Sequence, residues 1–597
     1  MRKKELYIRV LLFLGLNIFG LFKFYDVLFK EGFALVNHGD GLSSMAFVFM
    51  IIQQMSEGIN LEFFTDTYQI SKVAIGFPVF MFTLFQKVLL YLLSIFFSPD
   101  NIYDMYFYIS FVLNGFFFYV LSREIGVPRL LSIIGAFFIM HMEDFFYRAQ
   151  GHMYYSWFLP IIAIWACIKA TKEPSIKRIF LFSFLSMLSF AQNPYMGYFC
   201  AIFSFIVFLG YLLYYKRRIF SPLIIYGVSF SVFLLIAFPN HIFLRIVNLF
   251  LKDRAIPIQG DVSHSTGDFN FFSVKNIFAL FNPGIVNIPG FEFLKEIISM
   301  EFFKNTNSWE FNYRVGLILP IFSVVFLVTL LIINYIKKGT FKKAIYESLI
   351  WISACFVIGL FGLSPDYKIS LVPITMEIGK MIRVGVRSYA FVDIGMIVLF
   401  LLLVSWFLRS LKSLTNNLFI RNLTNIFLIC IVILVSLDLT YPQAVQKMPI
   451  AQLPNLSIYK ILHGKKEGIL IELPCFQPIQ DIVDGYKYWY CRTEHGFPIY
   501  AGSANPNYRA ETARFANYVN HPNKNVIQNL KIGGVRYLSV NKGSKFDYSY
   551  FEKSRLLNKL AENENKIIYE IIVEENFQTK EFMEWFIHTN QGYKNIF

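Results

Sequence analysis

The 597 residues are 56% hydrophobic and 19% aromatic, and only 16% are charged, too few polar side chains to cover a water-soluble globule of this length. The formal charge of +15 is spread over short Lys/Arg clusters between apolar blocks, with no extended basic face or DNA-binding motif, so nucleic acid is excluded as a partner. The apolar blocks run to about 18 to 25 residues, enough to cross about 30 Å of hydrocarbon as helices, and they recur from residue 7 to residue 441.

The opening MRKKELYIRVLLFLGLNIFGLF has a basic start and an apolar run, but no small-x-small cleavage motif follows it. It reads as a retained first span with a cytoplasmic N-terminus. Basic clusters follow at Arg123 and Arg129, at Lys169, Lys172, Lys177 and Arg178, and at Lys216, Arg217 and Arg218. Two more stand at Lys337, Lys338, Lys342 and Lys343, and at Arg409, Lys412 and Arg421. Short positive loops stay in the cytoplasm, so these groups and Arg2, Lys3 and Lys4 are expected on one side.

Two apolar blocks separate each pair of clusters from Arg129 onward. Between Lys4 and Arg123 there are three, near 7–25, 73–98 and 103–122, and an odd number would strand Arg123 and Arg129 outside. Residues 73–98 hold Pro78, Gln86 and Lys87 in their interior, groups costly at mid-bilayer, so this block is expected to lie along or dip into the outer face. The alternative is that it spans and that Arg123 and Arg129 break the charge rule.

Eleven crossings result, near 7–25, 103–122, 128–142, 154–170, 177–191, 195–214, 221–240, 314–336, 345–363, 388–408 and 423–441. Residues 442–597 then form an extracytoplasmic domain. Its ILIELP, VRYLSV and IIYEIIV runs read as buried strands, and YFEKSRLLNKLAENE reads as an amphipathic helix, which makes a small α/β domain. Cys167, Cys200, Cys355 and Cys430 lie in apolar spans and read as small hydrophobes. Cys475 and Cys491 fall in the exported domain, where a disulfide and two free thiols are equally open readings.

Polar residues collect in the outside loops. Asn37-His38-Gly39-Asp40-Gly41 puts a carboxylate between two glycines, either a turn or a close approach to a ligand, and the same loop continues to Asp66. His141-Met-Glu143-Asp144-Phe-Phe-Tyr-Arg148-Ala-Gln-Gly-His152 packs two acids, an arginine and two histidines between apolar spans, so it is either a site or a solvated connector. Tyr195 opens the sixth crossing after Asn193-Pro194. Arg383 and Arg387, four apart at the start of the tenth, run against the positive-inside tendency and suggest an anionic partner such as phosphate, or snorkelling to headgroups. Residues 241–313 hold Arg254, Asp261, His264 and Asp268 without ordered metal spacing, and no metal or other cofactor is expected.

The arrangement resembles the GT-C superfamily of membrane glycosyltransferases, whose members carry an acidic residue in the first outside loop, where Asp40 stands. Juxtamembrane helices in that loop would correspond to residues near 42–57 and 73–98, the basic turn to Leu121–Gly126, and the acidic second loop to Glu143-Asp144. Gly39-Asp40, Arg148 with Gly151-His152, Arg383-Val-Gly-Val-Arg387, Ile471-Glu-Leu-Pro474 and Gly534-Val-Arg-Tyr537 are similar to a bacterial group of envelope proteins within it. The second loop lacks Asp-x-Asp, a departure that counts against a metal-dependent mechanism.

The resemblance implies a mainly α, polytopic enzyme with a C-terminal extracytoplasmic α/β domain. Such an enzyme transfers a sugar from a polyprenyl-phosphate donor to an envelope glycan, lipid or protein acceptor, with inversion. Asp40 would be the general base, and Asp66, Glu143, Asp144, Arg148, His152, Tyr195, Arg383 and Arg387 would bind substrate. A transporter or flippase of lipid-linked precursors, or an assembly scaffold, are the competing classes. Few ionisable residues at mid-span and no internal repeat count against transport.

Overall fold

A computed structural model of the chain describes residues 2–30, 33–35, 84–97, 99–142, 157–192, 194–237, 316–336, 342–363, 368–371, 385–414, 418–445, 451–465, 468–475, 517–532, 534–542 and 548–572. Positions 45, 48, 52, 145, 280–281, 293, 491, 494 and 499–500 are also described.

Helices occupy the places expected of crossings. They are α1 (Arg2–Phe29), α3 (Pro99–Glu124), α4 (Arg129–Met140), α5 (Phe158–Lys172), α6 (Ile176–Gln192), α7 (Pro194–Tyr214), α8 (Phe220–Ala237), α9 (Ile318–Ile336), α10 (Lys342–Leu360), α11 (Tyr389–Leu414) and α12 (Leu418–Val445), with the short α2 (Leu84–Ser94) between the first two. Proline stands at the first position of α3 and α7, where the missing N–H costs nothing and φ is already helical. Seven stretches are long and apolar enough to span: Glu5–Phe29, Asn101–Glu124, Met196–Tyr214, Ile318–Ile336, Lys342–Leu360, Tyr389–Ser410 and Asn422–Thr440. The protein is therefore a membrane protein. Among the described residues, Arg129–Met140 in α4 and Phe220–Leu235 in α8 are shorter apolar stretches, and α5 and α6 have 15 and 17 residues.

Helices α1 and α3 run antiparallel. Glu5 meets Arg123, Phe13 meets Phe116, Phe19 meets Phe111 and Phe24 meets Tyr108. The chain thus leaves α1 and enters α3 at the same end of the bundle. Helix α2 is described over 11 residues, Leu84–Ser94.

Contacts gather the basic clusters at the other end. Glu5 binds Arg123 at 3.4 Å and Arg129 at 3.2 Å, and Lys172 binds Glu124 at 2.9 Å. Arg217 donates to the Lys172 carbonyl at 3.0 Å, and Arg409 donates to the Gly126 carbonyl at 2.5 Å. Lys172, which also donates to the Glu124 carbonyl, and Arg217 and Arg409 thus cap the carbonyl ends of α3 and α5, where the helix dipole favours cations.

Tight packing fixes the bundle. Gly197 sits on the Phe190 backbone and Gly135 sits against Phe118 and Leu401, approaches that leave no room for a side chain. Ser229 donates to Ser183 at 2.6 Å, joining α8 to α6 through small residues. Cys167, Cys200 and Cys355 are buried among apolar groups, whereas Cys430 is exposed.

After α12 the chain forms β2 (Ala451–Gln452), which pairs antiparallel with β1 (Phe33–Ala34). A five-stranded sheet follows in the order β4-β3-β5-β7-β6, with β3 (Ile469–Leu473) parallel to β4 (Ile499–Tyr500) and β5 (Val535–Asn541). Strands β6 (Leu557–Glu562) and β7 (Lys566–Ile571) form an antiparallel hairpin at its edge. Helix α13 (Lys524–Ile532) and helix α14 (Ser549–Lys553) complete the described part.

Three expected strands are present as β3, β5 and β7. The helix expected over 550–564 is not. Only α14 is helical there, and Leu557–Glu562 is an edge strand whose partial burial lacks clean alternation, which is why its apolar spacing passes for a helical one. Cys475 and Cys491 are both buried free thiols, so no disulfide joins them in this structure. Burial raises the Cys491 thiol to about 11, and its sulfur lies 4.0 Å from the Lys566 ammonium.

Inside the domain, Glu472 is fully buried and paired with Lys566 at 3.0 Å. Tyr459 donates to Glu472 at 2.5 Å and accepts from Lys566 at 2.6 Å, with Ser539 at 3.1 Å. Burial, the nearby thiol and Glu472 hold the Tyr459 hydroxyl well above the usual phenol range.

Candidate functional site

Antiparallel packing brings the ends of α1, α4, α6, α10 and α12 together with the starts of α3, α5, α7, α9 and α11, opposite the basic end. Asp104, 1% exposed in the second turn of α3, accepts the Leu35 N–H at 2.8 Å, and Leu35 is itself fully buried. The chain is thus held one residue after β1 and five before Asp40. Met45 and Val48 are helical and buried, and Ile52 is helical.

The next loop leaves from His141. Its ring is buried against Phe19, Phe111 and Phe137, and its Nδ1–H donates to the Phe137 carbonyl at 2.9 Å. Phe145 is buried against Phe107 and Phe111, so the described positions flanking Glu143 and Asp144 both pack inward. Asn114 accepts the Trp157 N–H at 3.1 Å where α5 begins, and Gln192 at the end of α6 donates to the Tyr106 hydroxyl at 2.7 Å.

Arg387 lies in a 3-10 turn, Gly385–Ser388, and is 7% exposed. The turn leads into α11, whose Tyr389 ring packs so closely on Gly362 that a Cβ there would come within 2.6 Å. Arg387 therefore precedes α11 and does not stand in its first turn. Tyr195 is the second residue of α7. Asp40, Asp66, Glu143, Asp144, Arg148, His152 and Arg383 lie outside the described residues.

Several buried polar groups at this end were not singled out from sequence: Asp104, Asn114, Gln192, Asp393 and Asp438. Asp104 and Asp438 carried a signal, being acids inside apolar runs. Asp438 accepts the Ile318 N–H at 2.9 Å and so caps α9 from across the bundle. Among the described residues no three His, Cys, Asp or Glu side chains are grouped to hold a metal ion.

A bundle of antiparallel helices, seven of which hold stretches long and apolar enough to span, with an α/β domain appended defines a polytopic membrane protein. The chain belongs to the family described as a domain of unknown function, DUF6311, whose model matches residues 81–383. That region includes Glu143, Asp144, Arg148, His152, Tyr195 and Arg383 and leaves out Asp40, Asp66, Arg387 and the C-terminal domain.

No curated protein matches the sequence. Among solved structures the chain is similar to the oligosaccharyltransferase of Archaeoglobus fulgidus, with 13% identity and a TM-score of 0.47, covering 90% of this chain and 70% of that one. It is similar to the mycobacterial arabinofuranosyltransferase AftD, with 12% identity, a TM-score of 0.48 and coverage of 96% and 42%. It is also similar to ArnT from Cupriavidus metallidurans bound to undecaprenyl phosphate, with 10% identity, a TM-score of 0.41 and coverage of 95% and 98%. These neighbours are of the GT-C kind that the sequence resembles.

Proposed function

We propose that the chain transfers a sugar from a polyprenyl-phosphate donor to an envelope glycan, lipid or protein acceptor at the end of the bundle opposite its basic clusters. The basic end would face the cytoplasm and the transfer would take place outside. The observation that carries this reading is the antiparallel pairing of α1 and α3. With the Asp104–Leu35 bond, it starts the Asp40 loop at the end where Arg387 is buried.

Asp40 takes the proton of an acceptor hydroxyl as that oxygen attacks the anomeric carbon. The bond from that carbon to the donor phosphate breaks, the electron pair leaves with the phosphate, and the configuration inverts. Arg387, with Arg383, stabilises the charge that grows on the leaving phosphate, a task suited to a guanidinium. Glu143, Asp144, Arg148, His152, Tyr195 and Asp66 position the two substrates.

Transport is disfavoured by where the buried ionisable groups stand. Asp104, Glu347, Asp393 and Asp438 all lie near helix ends, and Asp104 and Asp438 hold backbone N–H groups. Asp40→Asn is the direct test, because it keeps size and removes the base. Transfer from a polyprenyl-phosphate sugar in membranes is expected to fall at least a hundredfold. Transfer at the parental rate would remove Asp40 from the mechanism.

A further inference from the structure

At the basic end a cleft of about 140 Å³ opens between the α3–α4 turn and helices α5, α7, α10 and α11. Three cations face it, Lys172, Lys343 and Arg409, together with two carboxylates, Glu124 and Glu347. Lys172 and Glu124 neutralise one another at 2.9 Å. Glu347, 4% exposed, accepts from Trp406 Nε1 at 3.3 Å and has Lys343 at 3.9 Å. Arg409 has no carboxylate within ion-pair distance among the described residues. It rests 4.8 Å from the centre of the Trp406 ring and spends one N–H on the Gly126 carbonyl.

Capping of helix carbonyls explains why Lys172 and Arg409 stand where they do. It does not explain the surplus. One positive charge remains after the carboxylates are counted, a guanidinium keeps unused donors beside an open cleft, and Lys343, with its side chain 54% exposed, stands across it. A planar fork backed by an indole and a mobile ammonium suits a phosphate oxygen pair. Basic pockets between membrane helices at the boundary with water are where acidic headgroups settle.

We infer that this cleft binds a phosphate diester, the headgroup of an anionic phospholipid, between Arg409 and Lys343. The site is distinct from the proposed transfer site and does not depend on it. Gly126, at φ +92° and with Arg409 3.7 Å from where its Cβ would stand, keeps the turn that forms one wall.

The test is native mass spectrometry and thermal unfolding of the full chain in detergent, with phosphatidylglycerol, phosphatidylcholine or inorganic phosphate added. Phosphatidylglycerol is expected to be retained over phosphatidylcholine, and Arg409→Gln and Lys343→Gln are each expected to weaken it about fivefold. Lys177→Gln, an exposed lysine at the same end but outside the cleft, is expected to leave it unchanged. Stabilisation by inorganic phosphate equal to that by phosphatidylglycerol would support the phosphate chemistry and assign the cleft to the free ion. Equal retention of the two lipids, or full phosphatidylglycerol preference in Lys343→Gln, overturns the inference, and Lys343→Gln decides even where Arg409→Gln does not fold.

Discussion

The carboxylate of Asp104 in α3 accepts the backbone N–H of Leu35 at 2.8 Å, and both residues are buried. An unsatisfied N–H in that position costs about 1–3 kcal/mol. Asp104→Ala is expected to lower stability by at least that much and to speed hydrogen exchange at Leu35, whereas Asp104→Asn, which keeps an acceptor oxygen, retains most of the protection. Equal exchange in the two variants would mean that the bond does not hold the loop.

Ala34 pairs with Ala451 across β1 and β2, which ties the entry of the first loop to the start of the C-terminal domain. Antiparallel neighbours have Cα atoms about 4.5–5.5 Å apart, within disulfide range. The double substitution Ala34→Cys with Ala451→Cys is expected to cross-link under mild oxidation. Peptide mapping that finds no bond between the two would refute the register.

Gly316 stands at φ +72°, and a Cβ there would lie 2.5 Å from Asp438 Oδ2, the atom that caps α9. Gly316→Ala is expected to destabilise by more than about 1 kcal/mol, from backbone strain together with the displaced cap. Asp438→Ala removes the cap without the backbone strain and is expected to cost about 0.5–2 kcal/mol. Thermal unfolding in detergent orders the two, and a neutral Gly316→Ala would contradict the packing.

Glu472 and Lys566 form a buried ion pair bridged by Tyr459. Removing one partner strands the other, at a cost of about 3–5 kcal/mol. Lys566→Met is expected to loosen the C-terminal domain, so that Cys491 and Cys475, buried in the parent, react with a thiol reagent at lower denaturant. Unchanged labelling would show that the pair is not what holds the sheet.

Glu562 is held at about 2, below its usual 4.5, by hydrogen bonds from Lys542 and Lys559. A depressed carboxyl contributes to stability above its ordinary value and loses that contribution as pH falls from about 4.5 to about 2. Glu562→Gln is expected to flatten the stability profile in that window and to leave its shape near neutrality unchanged. An identical acid limb in both proteins would sink this assignment.

Much of this was legible in the residues. Apolar length marked the places of α1 and of α3 to α12, and the clusters from Arg123 to Arg409 marked which turns share an end, because lysine and arginine follow a side-of-membrane rule that needs no contacts. The same rule set residues 73–98 apart from the expected crossings, and the α1–α3 pairing places the end of α1 and the start of α3 together. Leu557–Glu562 was misread because an edge strand with one half-covered face leaves no alternation to read, and its strand character comes from the hydrogen bonds of β7.

Asp104, Asp438 and Gln192 were invisible as partners for a related reason. Asp104 meets Leu35 across 69 residues, Asp438 meets Ile318 across 120, and no local pattern encodes such pairs. Composition and charge, which act residue by residue against lipid and water, determined that the chain crosses a membrane, where its helices lie and which end is basic. Which acid holds which backbone group, and that the loop before Asp40 is tied both to α3 and to the C-terminal domain, was decided only when packing brought distant residues within hydrogen-bond reach.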